Sequence, residues 1–287
     1  MSGSKTSAML VAVAASLGML AGSALGSVTL SQGNSVVELN FGDEPTEQMG
    51  TYAWEVDGTD HLHQQWFWYR VGDSGGEAPL DPFDMVGVPL TDDLNGDGVD
   101  DAVDVAYSVA GLDISLRFVL VGGAPGSETS TVVETIVITN TTPDTLDVHF
   151  FQYADFDLDG NPEFDSVEIL GDPKNTAYQW EESLYVAETV VTGVSDAPTH
   201  YEAGVVDDVL NGILVRLEDG DPTDLEDIAG PIEDTNAAWA FQWDKTLGPG
   251  DSLVISKNKL IVPEPATVVL MFGGMATVLA TRRRQRR

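Results

Sequence analysis

Short runs in which apolar and polar residues alternate, or in which β-branched residues dominate, recur along most of this chain, and Gly, Pro, Asn and Asp cut them apart. That grain restricts the fold more than any other feature. Period-two alternation is what a half-buried strand requires, because successive side chains point to opposite faces. Such runs occupy residues 36–41, 51–56, 64–70, 103–109, 112–120, 131–139, 145–154, 183–192, 212–217, 237–243 and 252–260. Turn-forming pairs such as Asp57-Gly58, Gly75-Gly76, Gly122-Gly123 and Pro143-Asp144 stand between them, as does the triplet Gly248-Pro249-Gly250. No helical period intervenes, so the parallel sheet of an α/β protein, which needs crossover helices, is not expected. The pattern predicts an all-β fold, a large antiparallel β-sandwich. Residues 140–144 read as a hairpin connection between the runs 131–139 and 145–154, and the acid-rich stretch 218–234 reads as a solvated loop.

The 287 residues contain no cysteine, so packing, and metal where it binds, must hold the loops without covalent staples. Six Trp, seven Tyr and ten Phe argue for a packed core rather than disorder.

Both ends carry addresses. Lys5, the apolar stretch 8–20 and the small residues that follow it read as a signal peptide, with cleavage expected after Gly26 or after Ala24. At the other end Pro263, Glu264 and Pro265 precede an apolar run over 266–281 and five arginines in the last six residues. A helix over those 16 residues would be about 24 Å long, short of the roughly 30 Å of a bilayer's hydrocarbon layer. The arginines place the C-terminus in the cytoplasm and everything upstream outside it. This three-part tail resembles the PEP-CTERM sorting domain of Gram-negative bacteria. In that family an exosortase, a membrane cysteine protease, recognises and cuts the tail, and the freed body goes to the cell surface or the extracellular polysaccharide matrix. The resemblance implies an exosortase-type partner and transient anchoring in the inner membrane. An uncleaved membrane anchor is the alternative. The chain divides into a signal peptide (1–26), a β-sandwich body (27–261) and a sorting tail (262–287) with one transmembrane sorting helix.

Without its ends the body holds 7 basic and 46 acidic residues, a net charge of 7 − 46 = −39. Such a field disfavours nucleic acid and anionic lipid as partners and attracts cations. Calcium is the expected counter-ion outside a cell.

Two loops have calcium-loop spacing. In the first, Asp93, Asn95 and Asp97 occupy positions 1, 3 and 5, Gly98 permits the turn at position 6, and Val99 supplies a backbone carbonyl. Asp101 and Asp104 fall at positions 9 and 12. This loop resembles those of dockerin modules and EF-hands, without the helix that follows in those families. The second runs through Asp155, Asp157 and Asp159 to Gly160, with Glu163 or Asp165 left to close the shell. Solvated turns would use the same residues.

His61 and His63 would share a face if they lay on a strand, as a metal pair requires, but no third ligand can be named; His149 and His200 are isolated. Trp66 and Trp68 alternate with Phe67 and Tyr69, so one face of that strand is a candidate aromatic platform for a glycan. No nucleophile elbow, phosphate loop, HExxH helix or catalytic cysteine is present, and with 46 acids paired carboxylates carry no information. The sequence reads as a non-enzymatic, exported structural or adhesive protein, stabilised by calcium and in reach of extracellular polysaccharide. A glycan-binding or glycan-degrading module is the rival.

Overall fold

The computed structural model describes residues 27–41, 49–182, 184–206 and 208–263. The signal segment, Glu264, Pro265 and the rest of the sorting tail lie outside the described residues. The strands are β1 (Ser27–Gln32), β2 (Ser35–Asn40), β3 (Gly50–Val56), β4 (Thr59–Asp60), β5 (Gln64–Val71), β6 (Ala78–Pro79), β7 (Leu90–Asp92), β8 (Ala102–Val109) and β9 (Leu112–Gly122). They continue as β10 (Ser130–Asn140), β11 (Leu146–Asp155), β12 (Asp165–Leu170), β13 (Thr176–Glu181), β14 (Leu184–Val190), β15 (His200–Val205), β16 (Ile232–Thr235), β17 (Ala237–Leu247) and β18 (Ser252–Pro263). One short helix, α1 (Ile213–Glu218), lies between β15 and β16.

These strands form two nine-stranded antiparallel sheets, the sandwich that the alternation predicts. The first has the order β1-β2-β3-β5-β11-β17-β15, with β4 on β3 and β6 on β5. The second has the order β16-β12-β13-β14-β18-β10-β9-β8-β7. Between the sheets, Phe67 stacks on Phe150 with ring centroids 5.5 Å apart and meets Phe118 of the facing sheet at 6.4 Å.

Two expectations about connections are corrected. Residues 140–144 are not a hairpin, because β10 pairs with β9 and β18 while β11 pairs with β5 and β17 in the other sheet. The segment is a crossover, fixed by Asn140. Its Nδ2 donates to the carbonyls of Asp144 (2.7 Å) and Leu247 (2.9 Å), and its Oδ1 accepts from Thr142. The run 212–217 is helical from Ile213 rather than extended, since Ile213 and Leu217, one turn apart, both bury while Arg216 turns to Glu202. An apolar run this short does not distinguish the two periods.

The acid-rich stretch is likewise more than a solvated loop. Leu217, Thr223 and Leu225 within and beside it are buried. With α1 and the segment around Leu80 they cover the outer face of the first sheet. Under this cover lie Trp66, Trp68, Phe151 and Tyr153, all at most 1 % exposed, with Trp66 Nε1 donating to the Leu80 carbonyl at 2.9 Å.

The inner face holds a buried ionic cluster. Lys257 and Lys259 of β18 lie between Glu134 of β10 and Glu188 of β14. Gln65 accepts from Lys259, and Gln152 accepts from Lys257 and donates to Glu188 at 2.7 Å. Lys257 also stands 4.8 Å from the centre of the Phe67 ring. Burial outweighs the attraction of the glutamates at Lys257 and pushes its ammonium down to about 8. Two charges of each sign close this group on itself, so removing any one would strand an unpaired charge at a cost of about 3–5 kcal/mol.

Candidate functional site

The first acidic loop connects β7 to β8 and is folded by its own side chains. Asp93 accepts from the backbone N–H groups of Gly96 (2.7 Å), Asp97 (3.1 Å) and Gly98 (2.7 Å), while Asn95 Oδ1 accepts from Asp97 and Asp97 Oδ1 from Val99. Gly96 and Gly98 take positive φ, which lets the chain curl around Asp93. The two closing residues are engaged elsewhere. Asp101 is fully buried, accepting from Gln32 and from the N–H of Leu94, and Asp104 lies on β8 paired with Arg117. Asp93, Asn95, Asp97 and the Val99 carbonyl remain for a cation there.

The second acidic loop is where β11 leaves the first sheet and enters the second as β12, through a 3-10 turn at Leu158–Gly160. Phe156 and Leu158 bury and drag the loop's acids inward with them. Asp155 ends β11, buried, with the Tyr153 hydroxyl 3.5 Å from Oδ2. Asp165 begins β12 with no solvent exposure; neither carboxylate oxygen makes a hydrogen bond of good geometry, and the Gln179 amide and the Leu158 backbone are the polar groups nearest it. Gln179, alongside it, commits its Nε2 to the Phe156 carbonyl at 2.7 Å. Burial, with Glu181 and Asp157 adding like charge, pushes the Asp165 carboxyl up to about 8 against the opposing pull of Gln179. Burial likewise raises Asp157 and Glu181, and Glu181 Oε2 is buried without a partner. Glu163 is exposed on the outer part of the loop.

A cleft of about 340 Å³ opens beside this crossover, lined by Asp57, Glu128, Asp159, Glu181, Glu182 and His61. His61 and His63 are not a strand pair. They follow β4 in a loop, where His61, kept neutral by burial, accepts the N–H of Asp159 on Nδ1 at 3.1 Å and His63 stands 4.0 Å from Asp157. They belong to the crossover, with His61 pinning its backbone.

The aromatic platform is not formed. Trp66 and Trp68 are each 1 % exposed and present no ring face to solvent. Of the sorting triplet, Pro263 closes β18 opposite Leu184, so the body's last strand runs beyond residue 261.

The sequence leaves His149 and His200 apart; the structure brings them to one carboxylate. Asp244 Oδ1 lies 2.6 Å from His149 Nδ1, and Asp244 Oδ2 lies 3.4 Å from His200 Nε2. Asp227 engages His200 Nδ1 with both oxygens at 3.1 Å, and Gln242 Nε2 donates to Asp244 (2.8 Å) and Asp224 (3.0 Å). The two imidazoles and the hydrogen bonds of Gln242 hold Asp244 below the usual carboxylate range despite partial burial. Among the described residues, His149, Asp224 and Asp244 form the group of three whose ligand atoms all lie within 4.8 Å of one another. Strand register produces this gathering: His149 of β11 faces Asp244 of β17, and His200 of β15 faces Gln242.

No protein-family model matches the chain, and no curated protein matches it. Solved structures superpose on the chain. A bacterial glucoamylase complexed with acarbose superposes with a TM-score of 0.56 at 8 % identity, over 84 % of this chain and 32 % of its own. This chain therefore spans about a third of that protein's length. A candidate aldose 1-epimerase from Escherichia coli K12 gives 0.46 at 12 % identity over 82 % of this chain and 98 % of its own. A polysaccharide lyase gives 0.42 at 12 % identity over 82 % and 33 %. At such identities the likeness is one of architecture.

Proposed function

We propose that this chain is an exported β-sandwich protein, delivered to the cell surface or extracellular matrix through exosortase-type processing of its tail, whose body does structural or adhesive work and is stabilised by calcium. The sorting reading rests on the tail's Pro-Glu-Pro, apolar and arginine-rich parts. The calcium reading is carried by Asp165, a fully buried carboxylate with no well-formed hydrogen bond on either oxygen, beside Asp157 and Glu181. A hard divalent cation bound by oxygens would neutralise this group. The like charges of Asp157 and Glu181 act against ionisation of Asp165. Asp157, Asp159, Asp165 and Glu181 are the proposed ligands, with the first loop as a second, more open site.

The test is thermal unfolding of the full-length protein with calcium and with chelator, since an ion that binds the native state raises its stability. Calcium should raise the melting temperature, and Asp165→Asn should abolish most of the rise. An unchanged melting temperature, or a rise that survives both Asp165→Asn and Asp157→Ala, would contradict the crossover site. Glycan binding is the second reading, supported by the sandwich shared with a glucoamylase complexed with acarbose. With Trp66 and Trp68 buried, polysaccharide contact would run through surface carboxylates and calcium.

A further inference from the structure

We infer that the outer end of the first sheet carries a second metal site, for zinc or a zinc-like transition ion, with His149, His200, Asp244 and Asp224 as ligands. It is independent of the calcium reading, because the ligand chemistry differs. Calcium takes oxygen alone, whereas two imidazole nitrogens beside two carboxylates suit zinc.

His149, Asp224 and Asp244 already gather their ligand atoms within 4.8 Å of one another, and His200, outside that group, reaches it through the second oxygen of Asp244. Zinc bonds nitrogen and oxygen at about 2.0–2.2 Å, so two donors on one tetrahedral ion lie about 3.3 Å apart. His200 Nε2 and Asp244 Oδ2 are 3.4 Å apart. His149 Nδ1 and Asp244 Oδ1, at 2.6 Å, share a proton that the ion would replace, a movement of under about 1 Å at that pair. Asp224 completes the set, its ligand oxygen within 4.8 Å of those of His149 and Asp244.

The surrounding groups orient these ligands. Asp227 holds His200 Nδ1–H with both oxygens, which leaves the Nε2 lone pair directed at Asp244. This carboxylate–histidine arrangement fixes the tautomer and raises the basicity of a ligand imidazole. Gln242 Nε2 ties Asp244 to Asp224, and Arg70 Nη2 approaches Asp224 at 3.4 Å, so both carboxylates are held in place before an ion arrives. His149, Asp244 and His200 have side chains 15 %, 25 % and 31 % exposed, sheltered but open to entry from solvent. A bound ion would join β11, β17 and β15 to the segment that carries Asp224.

The experiment is calorimetric titration of chelator-stripped full-length protein with zinc, and with calcium as competitor, followed by cobalt substitution to read the ligand field. One zinc should bind tightly at this site, with a tetrahedral nitrogen–oxygen cobalt spectrum and no displacement by millimolar calcium. His200→Ala should weaken binding at least 100-fold, and Asp227→Asn about 10–100-fold through the lost orientation of His200. His63→Ala, in the loop between β4 and β5, should leave it unchanged. Melting of the metal-free His200→Ala protein shows whether that variant is folded. Should it fail to fold, Asp224→Asn, at a side chain 67 % exposed, replaces it and should also weaken binding. No zinc binding, binding indifferent to a folded His200→Ala or to Asp224→Asn, or displacement by calcium would overturn the inference.

Discussion

Asp165 makes protonation part of folding. Its carboxyl titrates near 8 in the folded protein against an ordinary value of 3.8, so between those values the native state holds a proton that the unfolded chain has released. Stability conferred by the neutral acid is therefore fully present below the unfolded value and is lost as pH rises through the folded one. We predict that the chelated protein loses stability from pH 5 to pH 8, with Asp165 contributing a slope of up to about 1.4 kcal/mol per pH unit. Denaturant midpoints across that range should show a flatter profile for Asp165→Asn; parallel profiles would mean that Asp165 is ionised throughout. At this scale the sequence is informative only where partners are local. The curl of Asp93, Asn95 and Asp97 follows from Asx spacing. That Asp104 would turn to Arg117, or that Lys257 and Lys259 would face inward, depends on strands far away in sequence. His149 and His200 are 51 residues apart, and strand register alone makes them neighbours.

Among the elements, period-two alternation located long strands such as β9, β10 and β18 to within a few residues, because each has one face in the core and one in solvent. Alternation does not name a strand's partner, however. The Asn140–Asp144 turn has residues that would also suit a hairpin, and only the pairing of β10 and β11 in different sheets reveals a crossover. Strand β12 escapes the pattern because its polar start, Asp165-Ser166, is buried rather than solvated. Where elements meet, Gly122 shows what packing demands. A Cβ there would lie 1.7 Å from the Gln32 carbonyl, since the β1–β2 turn rests directly on the end of β9. Gly122→Ala must push one backbone off another and should cost about 1–3 kcal/mol in denaturant unfolding. Gly193→Ala, with nothing nearer than a serine hydroxyl at 4.0 Å, should cost under about 0.5 kcal/mol. Equal costs would show that β1–β2 does not dock as described.

For the molecule as a whole, all seven basic residues of the body are committed. Arg70, Arg117, Arg216, Lys245, Lys257 and Lys259 pair with acids, and Lys174 donates to the Ile169 carbonyl. An anionic polysaccharide approaching this surface would meet an excess of carboxylates, with six of the body's seven cations already paired to acids, so adhesion to one would need a bridging ion. The same sandwich bears on the sorting address. Strand β18 lies inside the second sheet between β14 and β10, and its pairing continues to Pro263 opposite Leu184. A cut upstream of Pro263 would remove pairs from an interior strand, whereas a cut beyond it leaves the sheet whole. If the tail is processed as proposed, intact-mass analysis of the mature protein should therefore place its C-terminus after Pro263 and before the arginine-rich end. A terminus upstream of Pro263 would show that the enzyme trims the folded sheet, and a protein still ending at Arg287 would mean that the tail anchors without being cut.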